Sequence, residues 1–275
     1  MRKNVTSVHR IDILTLRVDN FNANYFMREI AEVWREAGIQ VNVVRGPMEN
    51  PNADLVILHT DITTVPIEYL SAVRRYPAYL NGYVADISKR NISRNLVAGP
   101  DDTDGPVLAK TNLNAAGLQE AFIAAAGLMP GMNVPQEPYT IYPSAKDVPD
   151  EVWADPLIVV ERFLPEMHDG FYCLRTWVFL GDKETNSLSY ATEPIVKQRG
   201  VVKREVVDEV PSELRAMREE LVFDYGKFDY AIVDGKVVLY DANRTPALGN
   251  FPREAYMPRV RHLAEGIWPY LGVTR

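Results

Sequence analysis

Between residues 229 and 246 two apolar, strand-like runs flank Asp234-Gly235 and carry oxygen groups where a core hairpin would carry none: Asp229 on the first run, Asp241 and Asn243 on the second. Asp and Asn are depleted in strands, so their presence here asks for a reason. Residues two apart on a strand share a face, which lets Asp241 and Asn243 converge on one ion. An all-oxygen set suits a hard cation such as Mg²⁺, whose common protein task is to hold phosphates. The alternative is a solvated hairpin whose acids face water.

The turn decides whether Asp229 joins the set. A two-residue Asp234-Gly235 turn would pair 233 with 236 and put Asp229 on the face opposite Asp241 and Asn243. A three-residue loop, 233–235, with Gly235 left-handed in a bulge, would pair 232 with 236 and 229 with 239. All three oxygen groups would then share a face with Ala231 and Val237, leaving Phe228, Tyr230, Ile232, Val238 and Tyr240 to the core. The bulged register is the expectation.

Cations lie upstream. Lys89 opens a short helical stretch, and Lys110 ends an apolar strand at 106–110 that runs into a small polar loop, 111–117. Small residues before a helix let backbone N–H groups approach an anion. An apolar strand ending in Glu161-Arg162-Phe163-Leu164 breaks at Pro165, where backbone groups could meet a flat ring. Arg175 interrupts the apolar run 172–182 and needs a carboxylate, a phosphate or water. Lys197 and Arg199 add two more cations near a later strand end. The Gly-x-x-x-x-Gly-Lys order, a dinucleotide glycine motif, a nucleophile elbow and a His-Glu-x-x-His motif are all absent.

The elements that must position these groups alternate. Strands at 11–16, 40–44, 54–59 and 78–80 are interleaved with helices at 22–37 and 66–75, which reads as a small α/β unit over residues 1–85. Ligands gather beyond the carboxyl ends of such strands. Asp19, His59 and Asp61 fall there, though helix capping and turn chemistry explain the same residues. Residues 86–275 form the second unit, ending in a helix over 258–270 with Val260, Leu263, Ile267 and Trp268 on one side.

Composition sets the limits. A chain of 275 residues with 47% apolar content can bury a sizeable core, and a net charge of −7 without a basic run argues against nucleic-acid binding. The one cysteine, Cys173, rules out an internal disulfide. No apolar block reaches the about 18 residues of a membrane span, so a cytoplasmic protein is expected.

The order of these pieces over roughly residues 86–250 resembles the ATP-grasp superfamily of ATP-dependent carboxylate ligases. The resemblance implies an α/β (α+β) ATP-grasp domain preceded by a small pre-ATP-grasp α/β domain. It implies that Lys89 and Lys110 contact nucleotide phosphates and that Glu161, Arg162, Phe163 and Leu164 hold adenine. Arg175 would be catalytic, facing the transferred phosphate. Asp229, Asp241 and Asn243 would bind one or two Mg²⁺ ions, with Mn²⁺ as an alternative. Lys197, Arg199, His59, Asp61 and Asp19 are the candidates for the substrate pocket. Asp241 stands where the family more often has Glu, and loop 112–117 has one glycine where the family often has several. The implied reaction activates a small-molecule or peptide carboxylate as an acyl phosphate for attack by an amine or thiol, releasing ADP. A kinase on the same scaffold and a non-catalytic ATP-binding protein stay open, as does a homodimer.

Overall fold

In the computed structural model the described residues are 9–19, 21, 24–47, 52–127, 139–249 and 251–272. The apolar runs at the start of the chain form a parallel sheet. Strands β1 (Arg10–Thr15), β2 (Gln40–Arg45), β3 (Leu55–Leu58) and β4 (Ala78–Leu80) lie in the order β2-β1-β3-β4. Helix α1 (Phe26–Glu36) buries Phe26, Ile30 and Trp34 at helical spacing, and helix α2 (Ile67–Val73) buries Leu70 and Val73. The expected helix start at Asn22 lies outside the described residues.

A second, antiparallel sheet follows helix α3 (Lys89–Ile92). Its strands β5 (Val107–Thr111), β6 (Tyr139–Tyr142) and β7 (Ile158–Arg162) lie in the order β6-β5-β7 around Val97, Val107, Ala109 and Val160. Helices α4 (Leu118–Ala125) and α5 (Asp150–Ala154) fall between the strands.

The third sheet carries the hairpin. Strands β8 (Glu166–His168), β9 (Phe171–Leu180), β10 (Lys183–Ala191), β11 (Val201–Val206), β12 (Tyr225–Val233) and β13 (Lys236–Asn243) are ordered β11-β10-β9-β12-β13, with β8 on β9. One face, with Trp177, Phe179, Phe228, Tyr230 and Leu239, packs against Leu214 and Met217 of helix α6 (Ser212–Glu220). At one end of the other face Val178, Leu180 and Tyr225 join a core shared with β1, α1 and helix α7 (Arg253–Ala264). That core runs across residue 85, so the two units read from the sequence bury apolar surface in common. Val260, Leu263 and Ile267 belong to it, and the segment Glu265–Leu271 after α7 is 3₁₀. A Cβ at Gly266 would sit 1.9 Å from the carbonyl oxygen of Leu180, so glycine is required where this segment crosses the end of β9. Among the described residues no helix is long and apolar enough to cross a membrane.

The hairpin register corrects one expectation. Val233 pairs with Lys236, and Asp234 (φ 49°) and Gly235 (φ 75°) are both left-handed, so the turn has two residues. Asp-Gly favours such a turn because its twist matches that of the flanking strands. The bulge lies farther along: Tyr230 pairs with Leu239, but Asp229 pairs with Asp241, leaving Tyr240 as the extra residue. One inserted residue reverses the alternation. Asp229 therefore faces Asp241, with Lys227 facing Asn243, while Val237 and Val238 exchange the faces expected for them.

Arg244 fastens the end of this hairpin to the first sheet. Its fully buried guanidinium donates to the carbonyls of Thr60 (3.1 Å), Ile62 (2.5 Å), Thr63 (2.9 Å) and Val84 (3.0 Å). Lysine has neither the fork nor the reach for four acceptors. Arg244→Lys should lose several kcal/mol in urea denaturation, since each stranded buried acceptor costs about 1–3 kcal/mol. Arg253→Gln, which removes an exposed partner of Glu29, should leave the midpoint unchanged. Equal responses would deny Arg244 its anchoring role.

Candidate functional site

The bulge at Tyr240 and the strand pairing of Asp229 with Thr176 put Thr176, Asp229 and Asp241 on one face of the third sheet. Thr176 Oγ1 donates to Asp229 Oδ1 (2.9 Å), and Lys227 Nζ donates to Asp229 Oδ2 (2.6 Å). Asp241 accepts from Lys89, which α3 delivers from across the cleft. Burial would raise the Asp241 carboxyl, but Lys89 and Lys227 outweigh it and hold the group below the usual carboxylate range. Burial alone would lower Lys227; Asp229 and Asp241 reverse that and raise it.

The donor set suits a hard cation. Asn243 Oδ1 accepts from the Thr245 amide (2.7 Å) and lies 3.0 Å from Thr245 Oγ1, whose single proton has a better acceptor in Asp61 Oδ1 (2.8 Å). With that proton on the carboxylate, Asn243 keeps a free lone pair beside the two acids. The set that can take Mg²⁺ is therefore two facing carboxylates and one amide oxygen.

The second sheet closes the cleft. Lys110 bonds Glu161 (2.8 Å) and the Tyr240 carbonyl (2.9 Å), with both ionic side chains no more than 5% exposed. Glu161 Oε1 has no partner among the described residues. Arg162, Phe163 and Leu164 line the same cleft as Lys89, Lys110, Asp229 and Asp241. The amides of Arg162 and Phe163 bond Asn95 O and Pro106 O (2.9 Å each), the Arg162 guanidinium reaches Asp102 (3.6 Å), and Leu164 O accepts the Tyr240 hydroxyl (2.6 Å). In the loop before α4, Ala115, Ala116 and Gly117 are all left-handed, so two alanines adopt the conformation glycine would favour.

The remaining sequence candidates separate. Lys197 lines the cleft with its ammonium 5.3 Å from the Tyr139 ring centroid, and Arg199 is exposed on a neighbouring groove. Asp61 is held by Tyr25, Asn114 and Thr245. His59 is fully buried among Phe21, Tyr25 and Tyr225, and burial holds its imidazole neutral with a pKa of about 3. Asp19 is buried, accepting from the Phe21 amide (2.7 Å), and its carboxyl is raised by burial. None of the three lines the cleft; Asp61, through Thr245, and His59, beside Tyr225, lie under the hairpin.

Arg175 is the main correction. It neighbours Thr176 on β9 and so points to the opposite face, where it donates to Glu166 (2.7–3.0 Å). The Ile232 amide donates to the same carboxylate (2.8 Å), and His168 lies 2.7 Å from it. Alternation along β9 carries the reason: one of residues 175 and 176 faces the carboxylate pair, and it is the threonine. Lys227, two residues before Asp229, is the half-buried cation that strand parity could have found.

Burial would raise Glu166, but Arg175, the Ile232 amide and His168 together lower it. A lowered folded value gives stability that is fully present above the ordinary Glu range, about pH 4.3, and is lost as pH falls through the folded value. Glu166→Gln should therefore be less stable than the parent at pH 7 in denaturant titrations, with the difference shrinking as pH falls below about 4.3 and gone below the folded value. A difference that stays constant down to pH 3 would mean that the pair's charge contributes nothing.

No family model matches this sequence, and no curated protein matches it. Solved structures do. The chain is similar to D-cycloserine synthetase DcsG at 13% identity and a TM-score of 0.54, over 93% of this chain and 99% of that one. It is similar to macrocyclase MdnC of Microcystis aeruginosa MRC, bound with precursor peptide MdnA, at 9% identity and 0.54, over 96% and 100%. Against D-alanine–D-alanine ligase of Bacillus anthracis the values are 12% and 0.50, over 96% and 97%. A likeness that spans nearly the whole of each chain, with three sheets and a carboxylate-bearing hairpin at their junction, shows that this chain has the ATP-grasp fold.

Proposed function

We propose that this chain is an ATP-dependent, ADP-forming ligase that activates a carboxylate as an acyl phosphate for attack by an amine or thiol. The observation that carries the reading is the facing Asp229–Asp241 pair, set at the end of the cleft that also holds Lys89 and the buried Lys110–Glu161 pair. Solved ligases of the same fold support it. Residues 86–275 would supply the nucleotide site and residues 1–85 its floor.

Asp229, Asp241 and the free lone pair of Asn243 would hold Mg²⁺, which neutralises phosphate charge when bound. Glu161 Oε1, an acceptor without a partner among the described residues, suits a donor on the base, beside the hinge of Phe163 and Leu164. Lys89 and Lys110 would hold phosphate oxygens. Lys227, on the metal-binding face, takes the role first read for Arg175. The substrate carboxylate attacks the γ-phosphorus, ADP leaves, and the acceptor then displaces phosphate from the acyl carbon. Positioning and charge neutralisation carry the first step.

Calorimetry with Mg-ATP, followed by a phosphate-release screen against amino acids and small peptides, tests the reading. Binding with acceptor-dependent phosphate release is expected; a phosphoester product would identify a kinase, and binding without release a non-catalytic protein. Lys227→Ala should lower turnover roughly 10²–10³-fold, by analogy with loss of an oxyanion donor, beyond the stability lost by stripping Asp229 of its cation. Arg175→Ala should lower stability, by stripping the buried Glu166 of its guanidinium, without a comparable loss of turnover. If Arg175→Ala were the variant that lost turnover without losing stability, the assignment of faces would be wrong. Deleting Tyr240 removes the bulge but leaves Asp241 opposite Asp229 in a regular ladder, so Mg-dependent ATP binding should survive, weakened by loss of the Tyr240 bonds to Lys110 and Leu164.

A further inference from the structure

Three lysines beside the carboxylates are paired: Lys89 has Asp241, Lys110 has Glu161 and Lys227 has Asp229. Two arginines on the same side of the third sheet form no ion pair among the described residues; Asp229 acts on Arg204 only through space, and the rings of Phe251 and Phe26 lie against Arg204 (4.8 Å) and Arg259 (5.7 Å). Arg204 of β11 pairs in register with Ser189 of β10 and donates to its hydroxyl (2.9 Å). Arg259 of α7 donates to Thr185 Oγ1 on the same strand (3.3 Å). Hydroxyls solvate a guanidinium but leave its charge uncompensated.

Both arginines line a cavity of about 280 Å³ that also includes Lys227, Asp229 and Asn243. Strand register shows how the two ends connect. Ser187 pairs with Thr176, and Thr176 with Asp229, so a row of hydroxyls runs from β10 beside Arg204 to the carboxylate pair. Partial burial lowers both guanidinium groups from their ordinary range, Asp229 opposing it at Arg204, and the charge of Arg204 lowers Arg259 further. Arg204 is exposed on the cavity wall and Arg259 half-buried, and two like charges gathered on one cavity gain when a further anion joins them.

The geometry points to Arg204 and Arg259 as the anchor for a carboxylate of the substrate, held apart from the group that reacts at the Asp229–Asp241 end. The substrate class is then a small molecule with a second carboxylate, such as a dicarboxylic acid or an amino acid. This inference rests on the ligase reading. The planar guanidinium fork matches a carboxylate in two-point contact. Nucleotide phosphates have their own cations in the three lysines, which leaves the arginine pair for the other reactant.

The test uses the full chain with Mg-ADP present and succinate and L-glutamate as probes, with propionate and inorganic phosphate as controls. Phenylglyoxal labels accessible arginines, and peptide mass spectrometry reads each site. Succinate or glutamate should protect Arg204 and Arg259, leaving the exposed Arg253 and Arg261 labelled as before. Protection by succinate and glutamate alike identifies the anchored group as any second carboxylate; protection by glutamate alone identifies an amino acid. In calorimetry, Arg204→Gln and Arg259→Gln should each weaken the protecting probe roughly 10- to 100-fold, as expected for a lost charge-assisted hydrogen bond, with Mg-ATP affinity unchanged. Absence of protection, equal protection by phosphate or propionate, or unchanged probe affinity in both variants would overturn the subsite. Mg-ATP binding without protection defeats the subsite alone. Protection in a chain that does not bind Mg-ATP defeats the ligase reading and leaves the carboxylate site standing.

Discussion

The buried guanidinium of Arg244 is the constraint on which the rest of the structure depends. It follows Asn243 directly and bonds four main-chain carbonyls, three from the loop after β3 and one just before α3. Among the described residues no ion pair holds it in place; carbonyl dipoles replace its water. Burial pushes it down to about 10, so it stays charged at neutral pH, and it cannot leave the carbonyls without leaving them bare. The end of the hairpin, the loop carrying Asp61 and the approach to Lys89 are thereby fixed to one another. Thr245 extends the same junction by donating to Asp61, which also accepts from Tyr25 and Asn114. Asp61 thus has a use, but it serves the scaffold under the site.

Above that junction three lysines of the cleft are paired with three carboxylates. On the proposed function, binding a metal nucleotide there would be an exchange of partners rather than the charging of an empty pocket. Acids released by their lysines would meet cations, and lysines released by their acids would meet phosphate oxygens. The desolvation cost of each ionic group has already been met in the folded protein. The arginine end of the sheet lacks such pairs, which on the same proposal would distinguish an internally compensated site from one open to a reactant.

How much of this was legible in the sequence follows from where periodicity holds. Strand alternation identified the oxygen-bearing residues and most of the core face of β12, because both follow from composition and spacing. It failed at two points of parity. The turn took the form that Asp-Gly prefers, and the bulge moved to Tyr240, where no glycine marks it. On β9 the charged Arg175 drew attention from Thr176, although only one of two neighbours can face the site. Strand β10 lacks the apolar alternation of a strand at Asn186, Ser187 and Ser189, yet all three are buried in the structure. Its hydroxyls line a cavity, so a strand facing a polar site loses the apolar pattern by which strands are recognised. Lys227, Arg204 and Arg259 come from three distant segments, and only the sheet order brings them together.

Tyr240 shows why the irregularity sits where it does. As the extra residue in the bulge it is free of the pairing that binds its neighbours, and both its polar ends serve the cleft. Its carbonyl accepts from Lys110 (2.9 Å), and its hydroxyl donates to the carbonyl of Leu164 (2.6 Å). One inserted residue therefore turns Asp241 toward Asp229 and ties β13 to the lysine on β5 and to the strand break after β7. A regular hairpin could have placed Asp241 on the right face by changing its turn, but it would have left Lys110 and Leu164 without these bonds. The bulge couples the carboxylate-bearing face to the segment after β7, so the third sheet and the second meet through the backbone and side chain of a single residue.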